Sequence, residues 1–224
     1  MIKNITNLGD AALYCDFGND VNIEINSIVI KYFNEIKNLK INGVLNITPS
    51  YNKLIISFDL NLTSFEKLKE IINKIKFNNT IKYNKRLIKI PICFNDEFSL
   101  DIERLVSINK VNKNDIIKSF LSKNYFCYMT GFIAGMPFLG DISKNLRLKR
   151  LDTPRVKVPK GSVGITEQFC NIYSFESPGG WNIIARTPLK IFDKENQLKP
   201  TLVKPGDEVE FYEIDLKKYN ELNE

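Results

Sequence analysis

The spacing of hydrophobic and polar residues predicts strands and helices in alternation over the first 84 residues. Short strand-like runs flank Gly9–Asp10 and recur as GVLNI and KLIISFD. From Ile25 to about Gly43, hydrophobic residues return every three or four positions, as in a helix with one buried face. A second helical repeat begins near Thr63, which with Glu66 has the spacing of a capping box. The order ββαββα predicts a two-layer domain with helices on one side of a sheet.

The pattern changes after the polar stretch KFNNTIKYNKR, and we place a domain boundary near residue 84. LIKIPICF then predicts a strand, and LDIERLVSI and KNDIIKSFL predict two short helices. Beyond Tyr125, brief strand-like runs alternate with glycine and proline turns to the end of the sequence. The sequence therefore predicts an α+β protein, with an α+β domain over residues 1–84 and a closed barrel or sandwich over 85–224.

Composition and charge exclude several classes of protein. The 224 residues are 43% hydrophobic and 26% charged, which is typical of a globular protein with a real core. No apolar run approaches the roughly 20 residues of a membrane-spanning helix, and the N-terminus lacks a signal-peptide layout, so we expect a cytoplasmic protein without a membrane partner. The net charge is +6, but lysine and arginine are mixed with acidic residues along the chain. This argues against a nucleic-acid partner.

Histidine and cysteine usage narrows the possible chemistry. The chain contains no histidine, which excludes an imidazole base, a histidine metal ligand and the usual serine or cysteine triads. Cys15, Cys93, Cys127 and Cys170 lie far apart in strand-like stretches and lack the spacing of a zinc site. We expect four buried, reduced thiols and no metal, and the sequence alone identifies no catalytic residue.

Two glycine-rich segments are candidates for anion binding. GMPFLGD has the glycine spacing of a phosphate-binding loop, but Asp141 stands where that motif requires lysine, so a turn between strands is favoured. In VPKGSVGI, Gly161, Ser162 and Gly164 could offer backbone N–H groups to an oxyanion or phosphate. A tight turn without a ligand is the alternative. Ser162 is not expected to be a nucleophile, because no histidine can activate it.

Two arginines and the single tryptophan complete the candidate residues. Arg155 follows a Thr-Pro pair and Arg186 precedes one, each at a predicted strand end, where a guanidinium could hold a carboxylate or phosphate. A solvated surface arginine is the alternative for each. Trp181 follows a predicted Pro-Gly-Gly turn and could be either a core residue or a pocket wall.

Four ordered motifs resemble one family, and they are GFIAGMPFLG, TPRVKVPKGSVGI, SPGGWNIIARTPLKIFD and KPGDEVEF. That family contains allophanate hydrolase subunit 1, the B subunit of bacterial 5-oxoprolinase and a sporulation-kinase inhibitor. GDAALYCDFG and TPSYNKLIISFD resemble the opening of the same family, so the resemblance extends from about Gly9 to Phe211. It implies a small α+β domain followed by a cyclophilin-like β-barrel.

The resemblance also implies a function in a complex. It implies a B subunit that acts with the A and C subunits to open 5-oxoproline to glutamate at the expense of ATP. An inhibitor of a sensor histidine kinase and an allophanate-hydrolase-type subunit are the alternatives. Opening an unstrained lactam is slow because its carbonyl is poorly electrophilic, and phosphorylation of the carbonyl oxygen would activate it.

Such a site needs cations and backbone donors around the developing charge. We therefore predict a substrate- or phosphate-binding site at the barrel mouth, in which Trp181 walls a pocket and Arg186 anchors an anion. The predicted site residues are Arg155, Gly161, Ser162, Gly164, Trp181, Arg186 and Thr187.

At three places, the sequence departs from the usual pattern of the family that it resembles. Phe120 stands where the family usually has histidine, and Ala134 and Met136 flank Gly135 where it usually reads Pro-Gly-Phe. Phe169 and Cys170 replace a usual glutamine-threonine pair. These positions either are not catalytic in the family, or this member has lost activity or serves another ligand.

Overall fold

Residues 1–77 and 86–223 are described by a computed structural model, in which the chain divides into two units, Met1–Asn84 and Lys85–Glu224. The predicted boundary near residue 84 lies outside the described residues. Within those two ranges, no helix is both long enough and apolar enough to cross a membrane.

The first unit has the predicted ββαββα order. Its elements are β1 (Asn4–Asn7), β2 (Ala12–Asp16), α1 (Ile23–Leu39), β3 (Val44–Pro49), β4 (Lys53–Phe58) and α2 (Phe65–Asn73). The strands form one antiparallel sheet in the order β1-β2-β4-β3. Apolar side chains of both helices share one core with those of β1, β2 and β4. The predicted two-layer arrangement is confirmed.

The start of α2 differs by one residue from the capping-box prediction. Ser64 is the N-cap, and its side chain accepts a hydrogen bond from the Lys67 N–H. Thr63 is buried instead, and a Cβ placed on Gly43 would lie 2.9 Å from its methyl carbon. Serine and threonine are both good N-caps. Thr63 packs against Gly43, and Ser64 caps the helix instead.

The second unit contains the other strands and helices of the described chain. They are β5 (Leu87–Ile92), α3 (Ile102–Asn109), α4 (Lys113–Leu121), β6 (Tyr125–Thr130), β7 (Pro137–Gly140), β8 (Arg155–Val158), β9 (Ser162–Thr166), β10 (Phe169–Ile172), β11 (Ser177–Gly179), β12 (Asn182–Arg186), β13 (Glu208–Glu213) and α5 (Leu216–Asn223). A short 3₁₀ helix, Lys144–Leu146, follows β7.

Seven of these strands form a nearly closed barrel in the order β12-β9-β10-β7-β6-β13-β5. The pairing of β13 with β5 is parallel, and the other pairs are antiparallel. Hydrogen bonds in both directions between Cys93 and Arg186 join the two ends of the sheet, at 2.8 and 3.0 Å. The remaining strands, β8 and β11, pair with each other. The predicted α+β fold with a C-terminal barrel is confirmed.

The barrel interior is one hydrophobic core. It contains Phe120 of α4, which is fully buried and stacks on Tyr125 and Phe211 with ring centroids 5.1 and 5.3 Å apart. Phe120, which stands where the resembled family usually has histidine, is therefore a packing residue of the core. All four cysteines are buried and unpaired, as predicted.

Three local predictions in this unit are wrong. GMPFLGD contains a strand, β7, rather than only a turn, because Phe138 and Leu139 pair with β10. SPGGW also contains a short strand, β11, which pairs with β8. The chain ends in a helix, α5, where strands and turns were expected. Tyr219 is the buried residue of α5, so its sequence shows little hydrophobic periodicity.

Candidate functional site

A cleft of about 350 Å³ lies on the outer face of the barrel, and we call it the outer-face cleft. Side chains alternate between the two faces of a strand. On β10, Cys170 and Ile172 point into the barrel core, whereas Phe169 and the following Tyr173 line the cleft. Its other aromatic lining residues are Phe132, Phe138 and Trp181. The volume lies in the range of small-molecule sites, roughly 300–1,000 Å³.

The SPGGW segment builds one wall of this cleft. A Cβ on Gly179 would lie 2.2 Å from the Tyr173 hydroxyl oxygen, so only glycine leaves room for the phenol. A Cβ on Gly180 would lie 3.3 Å from the guanidinium of Arg150. The ring of Trp181 meets Phe138 edge to face, with centroids 5.5 Å apart. The two glycines therefore serve close side-chain packing, which explains their position beside the tryptophan.

Arg150 supplies positive charge at the cleft and was not predicted from the sequence. Its neighbour Leu151 donates its N–H to the Gly180 carbonyl at 2.8 Å, and Asn182 Nδ2 donates to the Lys149 carbonyl at 3.0 Å. The Arg150 side chain is exposed and makes no ion pair with the described part of the chain. Arg150 is therefore placed to meet an anionic group, although the carboxylate-bearing Glu167 also lines the cleft.

Asn171 lies beneath this lining and was also not predicted from the sequence. It is fully buried, and its Nδ2 and Oδ1 atoms have no hydrogen-bond partner of normal geometry among the described residues. Burial raises the pKa of the Tyr173 phenol, and the nearby Asn171 side chain and the backbone N–H of Trp181 oppose this effect in part. A single asparagine within a strand-like run gives no sequence signal for such a position.

Arg155 belongs to a structural ion pair rather than to the cleft. Its two terminal nitrogens donate to the two carboxylate oxygens of Asp101 at 3.0 and 2.7 Å. The Asp101 carboxylate also accepts the Ile183 N–H at 2.6 Å. The guanidinium is therefore already neutralised by a buried carboxylate, which makes it a poor anchor for a further anion.

Two backbone N–H groups of the predicted glycine-rich anion site already have partners. The Gly161 N–H donates to the Tyr173 carbonyl at 2.7 Å, and the Ser162 N–H donates to the Pro159 carbonyl at 3.2 Å. Gly164 lies within β9, between its register partners on β10 and β12. In this conformation, these groups complete the sheet and its turns.

Arg186 and Thr187 lie near Gly161, at the other end of β12 from Trp181. The Arg186 Nε donates to the Lys160 carbonyl at 2.8 Å, and its guanidinium lies 5.6 Å from the centre of the Phe98 ring. The Thr187 N–H donates to the Gly161 carbonyl at 2.9 Å.

The predicted site is therefore divided between two places. Trp181 and Arg186 lie at opposite ends of β12, which are about 13 Å apart at the usual rise per strand residue. Arg186 is absent from the lining of the outer-face cleft, and the arginine beside Trp181 is Arg150. The structure therefore does not bring Trp181 and Arg186 together in the outer-face cleft. Of the predicted residues, Trp181 lines the cleft and Gly164 lies against its floor.

Two of the family departures also fall on this cleft. Met136 and Phe169 line it, whereas Cys170 is in the barrel core. Beside Phe169, the Asp141 carboxylate accepts hydrogen bonds from the Tyr128 hydroxyl and from Gln168 Nε2, both at 3.1 Å. Burial is the main cause that raises the pKa of Tyr128, and the nearby carboxylate adds to it. Among residues 1–77 and 86–223, no cluster of three cysteine or acidic side chains could hold a metal ion.

Comparison with known proteins gives three informative similarities. Residues 3–203 match the family model of the carboxyltransferase domain, subdomain C and D. The chain is 32% identical to the B subunit of 5-oxoprolinase from Bacillus subtilis, over 98% of this chain and 96% of that protein. It is 23% identical to the urea amidolyase of Saccharomyces cerevisiae, over 96% of this chain but 13% of that protein.

A solved structure shows the same fold. The crystal structure of TTHA0988 superposes with a TM-score of 0.82 at 26% identity, and the match covers 91% of this chain. This chain spans about 40% of the length of TTHA0988. With the family model matched over most of its length and a full-length relative above 30% identity, this chain belongs to the carboxyltransferase-domain C and D family that includes the B subunit of bacterial 5-oxoprolinase.

Proposed function

We propose that this chain is the B subunit of an ATP-dependent 5-oxoprolinase, which opens the lactam ring of 5-oxoproline to give glutamate. The observation that carries this proposal is the similarity to the Bacillus subtilis protein along almost the whole of both chains. The urea amidolyase similarity is weaker and involves a small part of a much longer protein, so it favours an allophanate-hydrolase-type function less. None of these similarities favours the kinase-inhibitor alternative.

The outer-face cleft is the substrate site in this proposal. Its aromatic lining suits the carbon atoms of a small ring, and Arg150 is placed to pair with a carboxylate. The same cleft offers no histidine, and Glu167 is the one carboxylate among its described lining residues. We therefore assign substrate binding to this chain and propose that other groups of the reaction come from the A and C subunits.

ATP is the co-substrate that would activate the lactam carbonyl by phosphorylation. Several of the residues predicted to hold its phosphates already have partners in the described structure. Arg155 is paired with Asp101, Arg186 is bonded to the Lys160 carbonyl, and the N–H groups at Gly161 and Ser162 are occupied. We propose that the nucleotide binds mainly to another subunit, within a cytoplasmic complex.

Reconstitution tests the proposed function. The chain would be mixed with the cognate A and C subunits, and glutamate and ADP would be measured with 5-oxoproline and ATP. We expect glutamate to form only when all three subunits are present, with ADP formed in step. Equal glutamate formation without this chain would refute the proposal, and omission of the A or the C subunit gives the matched controls.

A further inference from the structure

We propose that Asn171 is the residue that recognises the lactam, and that the indole of Trp181 moves to admit it. This inference rests on the proposed function, because it takes a carboxylated five-membered lactam as the ligand. It adds a binding residue, Asn171, and a movable side chain, Trp181, to the outer-face cleft. The lining residues alone indicate only a ligand that has an apolar ring and a negatively charged group to pair with Arg150.

The first observation is a buried carboxamide that lacks partners at both ends in the described part of the chain, whereas Asn109 and Ser177 of the same unit each lack a partner at one atom. Asn171 is completely buried, and both ends of its carboxamide lack a hydrogen-bond partner of normal geometry among the described residues. An amide buried in this way is costly unless a partner is supplied. By contrast, the buried amide of Asn182, on β12 of the same sheet, donates to the Lys149 and Ile165 carbonyls and accepts from Arg104.

The second observation is the direction of the Asn171 side chain. It lies between Phe169 and Tyr173 on the same face of one extended segment, and both of those residues line the outer-face cleft. A Cβ placed on Gly164 would lie 2.9 Å from Asn171 Oδ1, 3.0 Å from Trp181 Cβ and 3.3 Å from Tyr173 Cε2. The amide therefore lies directly under the two aromatic residues, over a glycine that leaves it room.

The chemistry of the carboxamide matches a lactam. A five-membered lactam is a locked cis amide, so its N–H donor and its carbonyl acceptor lie on the same edge. Asn171 offers the complementary pair, with Oδ1 as acceptor and Nδ2 as donor. Two parallel hydrogen bonds would satisfy both ends of the buried amide, and Arg150 would then meet the carboxylate of the ligand.

A ligand can reach Asn171 only if a covering side chain moves, and Trp181 is the candidate. Tyr173 is 1% exposed, and its hydroxyl fills the space beside Gly179. The Trp181 side chain is partly exposed and follows β11 at the start of β12. Because the chain has one tryptophan, its fluorescence reports on this movement without interference.

The experiment is a fluorescence titration of the full chain with three probes. These are 5-oxoproline, 2-pyrrolidinone, which has the lactam but no carboxylate, and proline, which has the carboxylate but no lactam carbonyl. We expect both lactams to change the Trp181 emission and proline to bind at least about tenfold more weakly than 5-oxoproline. Calorimetry with the same probes gives an independent dissociation constant.

Variants separate the two parts of the site. Asn171→Leu should weaken both lactams by about tenfold or more, while Arg150→Gln should weaken 5-oxoproline but leave 2-pyrrolidinone unchanged. Gly164→Ala keeps the amide but displaces it, so it should also weaken both lactams. Asn145→Leu changes an exposed asparagine of the same unit and is the matched control. Thermal unfolding of each variant verifies that it folds.

The outcomes distinguish this inference from the proposed function. If the reconstituted complex is active but folded Asn171→Leu leaves both lactam affinity and the KM for 5-oxoproline unchanged, the inference is wrong and the proposed function stands. If the complex is inactive but the chain binds lactams through Asn171, the inference stands and the proposed function fails. If no lactam alters Trp181 emission or binds in calorimetry, the inference is overturned.

Discussion

The ion pair of Arg155 with Asp101 allows a quantitative test of the revised site. Both carboxylate oxygens accept from the guanidinium, and the side chains of Asp101 and Arg155 are 7% and 28% exposed. Arg155→Gln would leave a buried carboxylate with the Ile183 N–H as its remaining described donor. Breaking a fully buried pair costs about 3–5 kcal/mol. Because Arg155 is partly exposed, we expect about 2–3 kcal/mol of lost unfolding free energy.

Urea and thermal unfolding would measure this loss. At roughly 2–4 °C per kcal/mol for a protein of this size, Arg155→Gln should lower Tm by about 4–12 °C. Lys157→Gln is the matched control on β8, because Lys157 and Glu176 form a 3.3 Å ion pair that is exposed on both sides. Its loss should cost about 0–1 kcal/mol. Equal, small effects of the two substitutions, with ligand binding lost only for Arg155→Gln, would refute the structural role and favour an anion anchor.

Three further predictions concern packing and pH. Gly179→Ala should destabilise the second unit by about 1–3 kcal/mol in urea unfolding, because the new methyl overlaps the Tyr173 hydroxyl, and Tyr173→Phe should recover part of the loss. Gly135→Ala should destabilise at least as much, since φ is +72° and the methyl would lie 2.6 Å from the Phe192 ring; no change in Tm would contradict this. Burial raises the pKa of the Cys15 thiol to about 12, so the stability it contributes should fall as pH rises from about 9 towards 12. Cys15→Ala should flatten that alkaline decline, and an unchanged pH profile would refute it.

Helices and strands could be predicted from the sequence where one hydrophobic repeat extends along the whole element. The helix α1 has a buried stripe that includes Val29, Tyr32 and Ile36, and a repeat of three and four residues is visible without tertiary information. The helix α5 is held by one buried residue, Tyr219, which packs on Phe98 with ring centroids 4.4 Å apart. A single buried residue produces no repeating hydrophobic pattern in the sequence. Only the tertiary contact with Phe98 therefore identifies this helix as part of the unit.

The site was less predictable because its residues are defined by distant partners. Arg155 pairs with the carboxylate of Asp101, which lies 54 positions earlier in the sequence. No local sequence pattern links these two residues. The glycines of SPGGW predicted a turn, but the structure places Gly179 in a short strand, where the absence of a side chain leaves room for the Tyr173 phenol. The structure places Trp181 beside Gly180 in the cleft lining. Arg150 lines the same cleft, and the hydrogen bond from the Leu151 N–H to the Gly180 carbonyl joins the two segments.

The charge around the outer-face cleft bears on how the reaction is divided in the proposed complex. Among the described lining residues, Arg150 and Glu167 carry opposite charges, and Met136 and Phe169 contribute apolar surface. Phosphorylation of a lactam oxygen brings several negative charges next to the ring, and these need fixed cations or N–H donors. One arginine facing one carboxylate is too little for that purpose. In the proposed mechanism, the cations for the phosphoryl group therefore come from outside this cleft, and their supply by another subunit would be a physical reason for a complex rather than a single-chain enzyme.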